Sequence, residues 1–314
     1  MTTREEDGSV RAAESRAGEA PTVIFLHIGK TAGTSLRKIL HRQFKASEIL
    51  RVETPWRNPE RLRREETLDY FATLPEGRRA SARLIEGHVI FGIHELVPRP
   101  STYITLLRNP VALTISQYHF VLRRPRHWLH ERVVTEHMDL ERYVRSGIAL
   151  ETDNSQIRAL SGDRTTPFGG CTPAMLEEAK RNLEAHFSVV GLTERFDETL
   201  IFLKRAFRWS NVHYVRANVS PRKDPVPPET IRAIEEQNAL DLELYRWATE
   251  RFDAAIAADP SFEEEYARFR RSNSLYRPWG HLTTTYPQAI YDRFAKKRRG
   301  RREASNLQGP QSSG

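Results

Sequence analysis

Two kinds of apolar run follow one another along this chain, and their order predicts an α/β fold. Near-continuous apolar runs occur at Val23–Leu26, Arg83–Val89, Thr102–Arg108 and Ser188–Leu192. Runs of this length and composition are typical of strands that are buried on both faces of a parallel sheet. Between them, apolar residues recur every three or four positions, which is typical of helices with one buried face. Because strands alternate with helices over the first two hundred residues, we predict a three-layer α/β/α domain with a central parallel sheet.

The same pattern predicts the principal helices. The first follows Val23–Leu26 closely and ends near Phe44. Another has Asn109 as its N-cap and Pro110 at its first position, and a third has Asp197 as its N-cap. In the Asn109 helix, the residues predicted to face the core are Val111, Ile115, Tyr118 and Leu122. Residues 51–82 are expected to be an irregular connection with one short helix, and the longest helix is expected to run unbroken from Glu229 to about Ala258.

Composition limits the class of protein. The chain has 314 residues and a single cysteine, Cys171, so a disulfide framework and a multi-cysteine zinc site are both excluded. Residues 1–20 are polar and charged without the apolar stretch of a secretory signal, and no apolar run is long enough to span a membrane. We therefore expect a soluble cytoplasmic protein with disordered tails at 1–20 and 293–314 around one domain at 21–292. The basic run from Lys296 to Arg302 supplies six of the net charge of +8, which indicates a solvated tail more than a nucleic-acid surface.

The turn after the first apolar run carries the clearest candidate chemistry. Gly29–Ser35 holds two glycines, Lys30 and three hydroxyl side chains at the start of a helix, where free N–H groups and the helix dipole attract phosphate or sulfate. A Walker P-loop would need glycine where Ile24 stands, and a nucleotidase would need a Mg²⁺-binding aspartate where the Thr102 strand ends in Arg108. Since arginine binds phosphate directly, the combination predicts a P-loop-like but metal-free site for a nucleotide with two separated phosphates.

These motifs resemble those of the carbohydrate sulfotransferases. Lys30–Ser35 after an apolar strand is similar to their 5′-phosphosulfate loop, and Arg108-Asn109-Pro110 followed by Ser116 is similar to their 3′-phosphate site. The stretch around Arg108 is closest to the branch of the uronyl and heparan sulfate 2-O-sulfotransferases, and the likeness extends from Thr22 to Phe252. The resemblance implies transfer of a sulfuryl group from 3′-phosphoadenosine 5′-phosphosulfate (PAPS) to a hydroxyl group of a carbohydrate, without a metal ion.

The resemblance also implies roles for particular residues. Lys30 would be the catalytic cation, and Arg108 and Ser116 would bind the 3′-phosphate. His88 would be the base that accepts the proton of the acceptor hydroxyl. The residues implied at the 5′-phosphosulfate are Lys30, Thr31, Ala32, Gly33, Thr34 and Ser35. The uronyl branch has a second histidine two positions before the base, but this chain has Glu86 there, so Glu86 could orient His88, act as the base or contact a different acceptor.

Two other classes of function stay open at this stage. A Mg²⁺-dependent P-loop kinase or nucleotidase would share the turn, and a non-catalytic nucleic-acid binder could use the tail from Lys296. His127 and His130 are one helical turn apart, but no carboxylate or cysteine completes a ligand set, so we expect packing or solvated histidines and no metal. The acceptor itself is left open, because acceptor pockets are built from variable loops.

Overall fold

A computed structural model describes residues 20–52, 64–87, 89–163, 165–215 and 225–280 of the chain. Its centre is a parallel sheet of five strands: β1 (Thr22–Leu26), β2 (Ile49–Val52), β3 (Leu84–Gly87), β4 (Ser101–Leu107) and β5 (Phe187–Leu192). Their order across the sheet is β2-β3-β1-β4-β5, and every neighbouring pair is parallel. The predicted α/β fold with a central parallel sheet is confirmed.

Twelve helices are formed by the described residues. They are α1 (Gly33–Leu40), α2 (Arg64–Thr73), α3 (Glu76–Ser81), α4 (Pro110–Leu122), α5 (His130–Thr135), α6 (Leu140–Arg145), α7 (Ser155–Ser161), α8 (Pro173–His186), α9 (Phe196–Phe207), α10 (Pro228–Gln237), α11 (Ala239–Ala257) and α12 (Phe262–Gly280). Short 3-10 helices occupy Ala46–Glu48, Ile93–Leu96 and Leu150–Thr152. Within the described part of the chain, no helix combines the length and apolar character needed to cross a membrane.

The core lies on both sides of the sheet. All five residues of β1 are buried, as expected for the central strand of a parallel sheet. Helices cover this strand and its neighbours with their apolar faces, for example Leu36, Ile39 and Leu40 of α1. A second, smaller cluster lies under α4, α5 and α6 and includes Val121, Val133 and Tyr143. Because α4 contributes to both clusters, it is covered on more than one side.

Three predicted details of the elements are wrong. Residues 51–82 are not simply irregular, because β2 ends within them and two helices follow; β2 is an edge strand with an exposed Arg51, and this hides its strand character. The α1 helix ends at Leu40 and does not reach Phe44. Asp197 is not an N-cap but a residue of the first turn of α9, where its carboxylate accepts a hydrogen bond from the Tyr214 hydroxyl at 2.7 Å.

The predicted core face of α4 is also shifted. The buried residues include Leu113, Ser116 and Gln117. The four predicted residues, Val111, Ile115, Tyr118 and Leu122, are only half-buried. The predicted face is defined by its large apolar residues, but part of it packs on the second cluster, while polar residues turn inward. The Asn109 cap and Pro110 are confirmed, since the Asn109 side chain accepts a hydrogen bond from the Ala112 N–H.

The predicted long helix is interrupted at Asn238, which separates α10 from α11. The backbone of Asn238 leaves the helical region. Its side-chain amide accepts from the Asn154 N–H and donates to the Thr152 carbonyl, as well as to the Ile234 carbonyl within α10. These tertiary bonds compensate for the intrahelical bonds that are lost at the break. The regular spacing of apolar residues across 229–258 does not reveal it.

The strand order creates a crevice at the carboxyl ends of β1 and β4. From β1 the chain passes to β2, the strand at one edge of the sheet. From β4 it passes to β5, the strand at the opposite edge. Since β1 and β4 are adjacent and parallel, their carboxyl ends lie together while the connections diverge. Ligands of open α/β sheets bind at such a switch point.

Candidate functional site

The turn between β1 and α1 is held in an unusual conformation. Lys30 has φ 65° and Ala32 has φ 58°, both in the left-handed region that L-residues seldom adopt. The Thr31 hydroxyl donates to the Ile28 carbonyl at 2.8 Å, and Thr31 is fully buried, so its side chain maintains the shape of the turn. Strain of this kind is typical of sites where the backbone approaches a ligand.

The start of α1 presents its first N–H groups at the end of this turn. Gly33 and Thr34 occupy the first helical positions, where N–H groups have no acceptor within the helix. The Ser35 N–H, in contrast, donates to the Ala32 carbonyl at 2.9 Å. Gly33 packs so closely on the His27 imidazole that a Cβ atom there would lie 1.9 Å from Nε2. The tight turn therefore needs glycine at position 33 for steric reasons.

Arg108 follows β4 directly and reaches the turn. Its Nη1 donates to the Lys30 carbonyl at 2.7 Å, and its Nε lies 3.8 Å from Oε1 of Glu194. Burial lowers the pKa of the Arg108 guanidinium, while Glu194 and Tyr245 act in the opposite direction. A guanidinium is not deprotonated in proteins. Burial therefore leaves Arg108 as a poorly hydrated cation beside the turn between β1 and α1.

The turn residues and Arg108 line one cavity of about 500 Å³. It brings together most of the residues predicted from the sequence: Lys30, Ala32, Gly33, Thr34, Ser35, Arg108 and Ser116 all line it. Ser116 is 9% exposed and lies on α4, two turns after Arg108. Thr31 is the one loop residue of the predicted set that does not line the cavity.

Aromatic residues form another part of the cavity wall. The Lys30 ammonium lies 4.1 Å from the centroid of the Phe120 ring, within the range of a cation–π contact. His127 meets Phe120 edge to face, with ring centroids 5.7 Å apart. Its Nδ1 accepts a hydrogen bond from the Leu129 N–H, and burial, followed by His130, lowers its pKa, so the imidazole is neutral near pH 7. From the sequence, His127 was expected to be a packing or solvated histidine, and its place in the cavity wall was not predicted.

Glu86 is engaged in an ion pair below the site. It is fully buried on β3, and its Oε1 accepts from Nε of Arg37 at 3.2 Å and lies 2.9 Å from Nε2 of His41. The carboxylate thus ties β3 to α1, two positions before the predicted base. His88 itself lies outside the described residues.

Several polar residues support the cavity, and no role was predicted for them from the sequence. Gln156 bonds the backbone of Arg108, and Arg158 lines the cavity while its guanidinium is bound to Asp153. Glu151 lines it as well. The residues joined by these contacts are at least five positions apart in sequence, so the local sequence does not predict the contacts. Among the described residues, no group of three or more His, Cys, Asp and Glu side chains is arranged to hold a metal ion.

Comparison with known proteins places the chain among carbohydrate sulfotransferases. The sequence profile of the galactose-3-O-sulfotransferase family matches residues 2–277. Human galactose-3-O-sulfotransferase 3 is 30% identical over 71% of this chain and 54% of its own length, and bovine galactosylceramide sulfotransferase is 29% identical over 87% and 68%. Heparan sulfate 2-O-sulfotransferase 1 of Xenopus laevis is 22% identical over 93% and 83%. The match to the human protein spans about half of that relative's length.

Proposed function

The chain belongs to the galactose-3-O-sulfotransferase family, and from this membership we propose that it transfers the sulfuryl group of PAPS to a hydroxyl group of a carbohydrate acceptor. The likeness to carbohydrate sulfotransferases inferred from the sequence motifs is confirmed by the family match. The cytoplasmic location, the domain limits and the residue roles stay predictions.

The observation that carries the proposal is the direct bond between the two anion-binding elements. Nη1 of Arg108 donates to the carbonyl of Lys30, and both residues line one cavity with Ser116. Two cations on different elements of the wall suit a ligand with two separated anionic groups. The cavity of about 500 Å³ is within the range of nucleotide-sized ligand sites. The residues present therefore fit PAPS.

The cavity residues would divide between the two ends of the nucleotide. Lys30, with the N–H groups of Gly33 and Thr34, would bind the 5′-phosphosulfate, while Arg108 and Ser116 would bind the 3′-phosphate. PAPS supplies the sulfuryl group: the acceptor oxygen bonds to sulfur as the bond between sulfur and the phosphate oxygen breaks, and adenosine 3′,5′-bisphosphate (PAP) leaves with the electron pair. Lys30 and the N–H groups stabilise the negative charge that develops on the phosphate.

The acceptor hydroxyl must lose its proton in this reaction, and His88 is the proposed base. Its neighbour Glu86 is a poorer candidate, because its carboxylate is fully buried and bound by Arg37 and His41. We therefore assign Glu86 to the attachment of α1 to β3. The orienting role toward His88 that the sequence left open is compatible with this position.

A galactose-containing glycan or glycolipid is the acceptor class that the relatives support. Two relatives are named for galactose and galactosylceramide, and a third is named for heparan sulfate. More of the relatives are thus named for galactose or galactosylceramide than for heparan sulfate. The matching family profile is also named for galactose.

A transfer assay tests the proposal. The full chain is incubated with PAPS carrying ³⁵S and with panels of galactosides, galactolipids and glycosaminoglycans, and PAP binding is measured by calorimetry with and without Mg²⁺. We expect labelled product from a galactose-terminated acceptor and PAP binding that does not require Mg²⁺. Absence of PAP binding, or PAP binding only with Mg²⁺, would refute the proposal. Turnover of ATP that depends on Mg²⁺ would favour a P-loop kinase or nucleotidase in its place.

A further inference from the structure

The side chain of Gln156 is hydrogen-bonded to the backbone of Arg108 on both sides. Its Oε1 accepts from the Arg108 N–H and its Nε2 donates to the Arg108 carbonyl, both at 2.9 Å. Gln156 is fully buried. Arg108 is the first residue beyond β4. The side-chain amide of Gln156 therefore bonds the Arg108 backbone in the way that a residue of a neighbouring strand would.

The residues that hold Gln156 are themselves fixed. The carboxylate of Asp241 accepts from the N–H groups of Gln156 at 3.0 Å and Ile157 at 2.9 Å, at the start of α7. Asn154 accepts from the Asp241 N–H and donates its own N–H to Asn238, where the predicted long helix is interrupted. Asn154, Asn238 and Asp241 are 6%, 2% and 1% exposed. The break between α10 and α11 thus anchors α7, and α7 anchors Gln156.

The direction of the Arg108 guanidinium depends on this support. The backbone of Arg108 sets the direction of its Cα–Cβ bond, and the side chain then reaches the Lys30 carbonyl at one end and approaches Glu194 at the other. We propose that Gln156 is a positioning residue, which acts through Arg108 to set the affinity of the site for the 3′-phosphate of the nucleotide. This inference rests on the proposed function. A displacement of about 1 Å at an anion ligand is enough to weaken binding and turnover strongly.

A purely structural role for Gln156 predicts something different. A general defect in packing lowers the affinity for every ligand of the cavity, including adenosine 5′-monophosphate (AMP), which lacks the 3′-phosphate. Loss of positioning at Arg108 lowers the affinity for PAP and spares that for AMP. The preference for PAP over AMP therefore reports on Arg108 and not on the stability of the fold.

The chain offers a matched control for the removal of a buried amide. Asn182 is 6% exposed, and its Nδ2 donates to the Leu160 carbonyl at 2.9 Å, near the opposite end of the same helix α7. Asn182→Ala removes a similar buried hydrogen bond from α7 without touching Arg108. Gln156→Met removes both bonds to Arg108 and keeps the approximate volume.

The experiment measures PAP and AMP affinity for the full chain, Gln156→Met and Asn182→Ala. We expect Gln156→Met to lose PAP affinity by about tenfold or more while AMP affinity is unchanged, and Asn182→Ala to keep both. Equal loss of both ligands, or no loss, overturns the positioning role. If the unaltered chain binds PAP no better than AMP, the proposed function fails, which is a separate result. Should Gln156→Met not fold, Gln156→Glu keeps the acceptor for the Arg108 N–H, loses the donor to its carbonyl, and is judged by the same comparison.

Discussion

Replacement of Gly33 by alanine is the sharpest test of the turn that begins α1. An ideal Cβ at position 33 would lie 1.9 Å from Nε2, 2.2 Å from Cδ2 and 2.7 Å from Cε1 of His27. The imidazole is stacked on Phe25, with ring centroids 5.2 Å apart, so it has a neighbour on one face that opposes its movement. At Gly29, in the same turn, an added Cβ meets nothing within 4 Å. Neither glycine needs a positive φ, so the pair differs in space and not in backbone conformation.

The expected loss follows from this overlap. Inserting a methyl group into a filled space typically costs about 1–3 kcal/mol, because side chains or backbone must shift. For a domain of this size, about 2 kcal/mol lowers the melting temperature by roughly 4–8 °C. We expect Gly33→Ala to show a decrease of this order and Gly29→Ala to melt close to the unaltered chain. PAP affinity should fall in Gly33→Ala as well, since the start of α1 is displaced from the cavity.

Thermal unfolding and calorimetry with PAP measure both effects. The double variant His27→Ala, Gly33→Ala removes the imidazole that the methyl group meets, so it should be less destabilised than the sum of the two single changes. The steric account is refuted if Gly33→Ala melts like Gly29→Ala. It is also refuted if the effects of His27→Ala and Gly33→Ala simply add.

Three further predictions concern the cation, the base and a buried acid. Arg108→Ala should weaken PAP binding in calorimetry by about 100-fold or more, because a bidentate charge-assisted pair is lost. Arg108→Lys should keep part of the affinity. Near-normal PAP binding by Arg108→Ala would exclude Arg108 as a ligand of the 3′-phosphate. His88→Ala should abolish sulfuryl transfer while PAP affinity is kept. Glu86→Gln should lower the melting temperature and keep most of the turnover. The reverse pattern in the transfer assay would make Glu86 the base. Burial raises the pKa of Asp241 to about 7, so between about pH 4 and 7 the folded state holds a proton that the unfolded state has lost. The free energy of unfolding should therefore fall by about 2–3 kcal/mol from pH 5 to pH 7 through this group, and urea titrations of Asp241→Asn should show a flatter pH dependence; an unchanged slope would contradict the assignment.

Local sequence was sufficient for the elements that are defined by their own apolar residues. The run Val23–Leu26 is buried on both faces as β1, and Asn109 and Pro110 begin α4 as predicted. The short edge strand β2 was not recognised, because the exposed Arg51 interrupts its apolar pattern. The burial of polar residues, such as Ser116 and Gln117 on α4, was likewise not predicted, because the core face was assigned from apolar residues alone.

The residue types of the candidate site were also readable from the sequence. A lysine and glycines at the start of a helix, and an arginine at the end of a later strand, are each a local pattern with a physical reason to bind an anion. The sequence placed both at carboxyl ends of strands in one parallel sheet. It did not show that β1 and β4 are neighbours, nor that Arg108 donates directly to the Lys30 carbonyl.

The sequence by itself thus determined the α/β class, the family and the anion-binding turn, because strand burial, helix caps and phosphate loops depend on residues close together in the chain. Tertiary structure alone decided how these parts are supported. Gln156 reaches Arg108 across 48 positions, Asp241 reaches Gln156 across 85, and Asn238 interrupts a helix whose apolar spacing is continuous. Such bonds form between a side chain and a distant backbone group, whose position is fixed only when the sheet and its helices have packed.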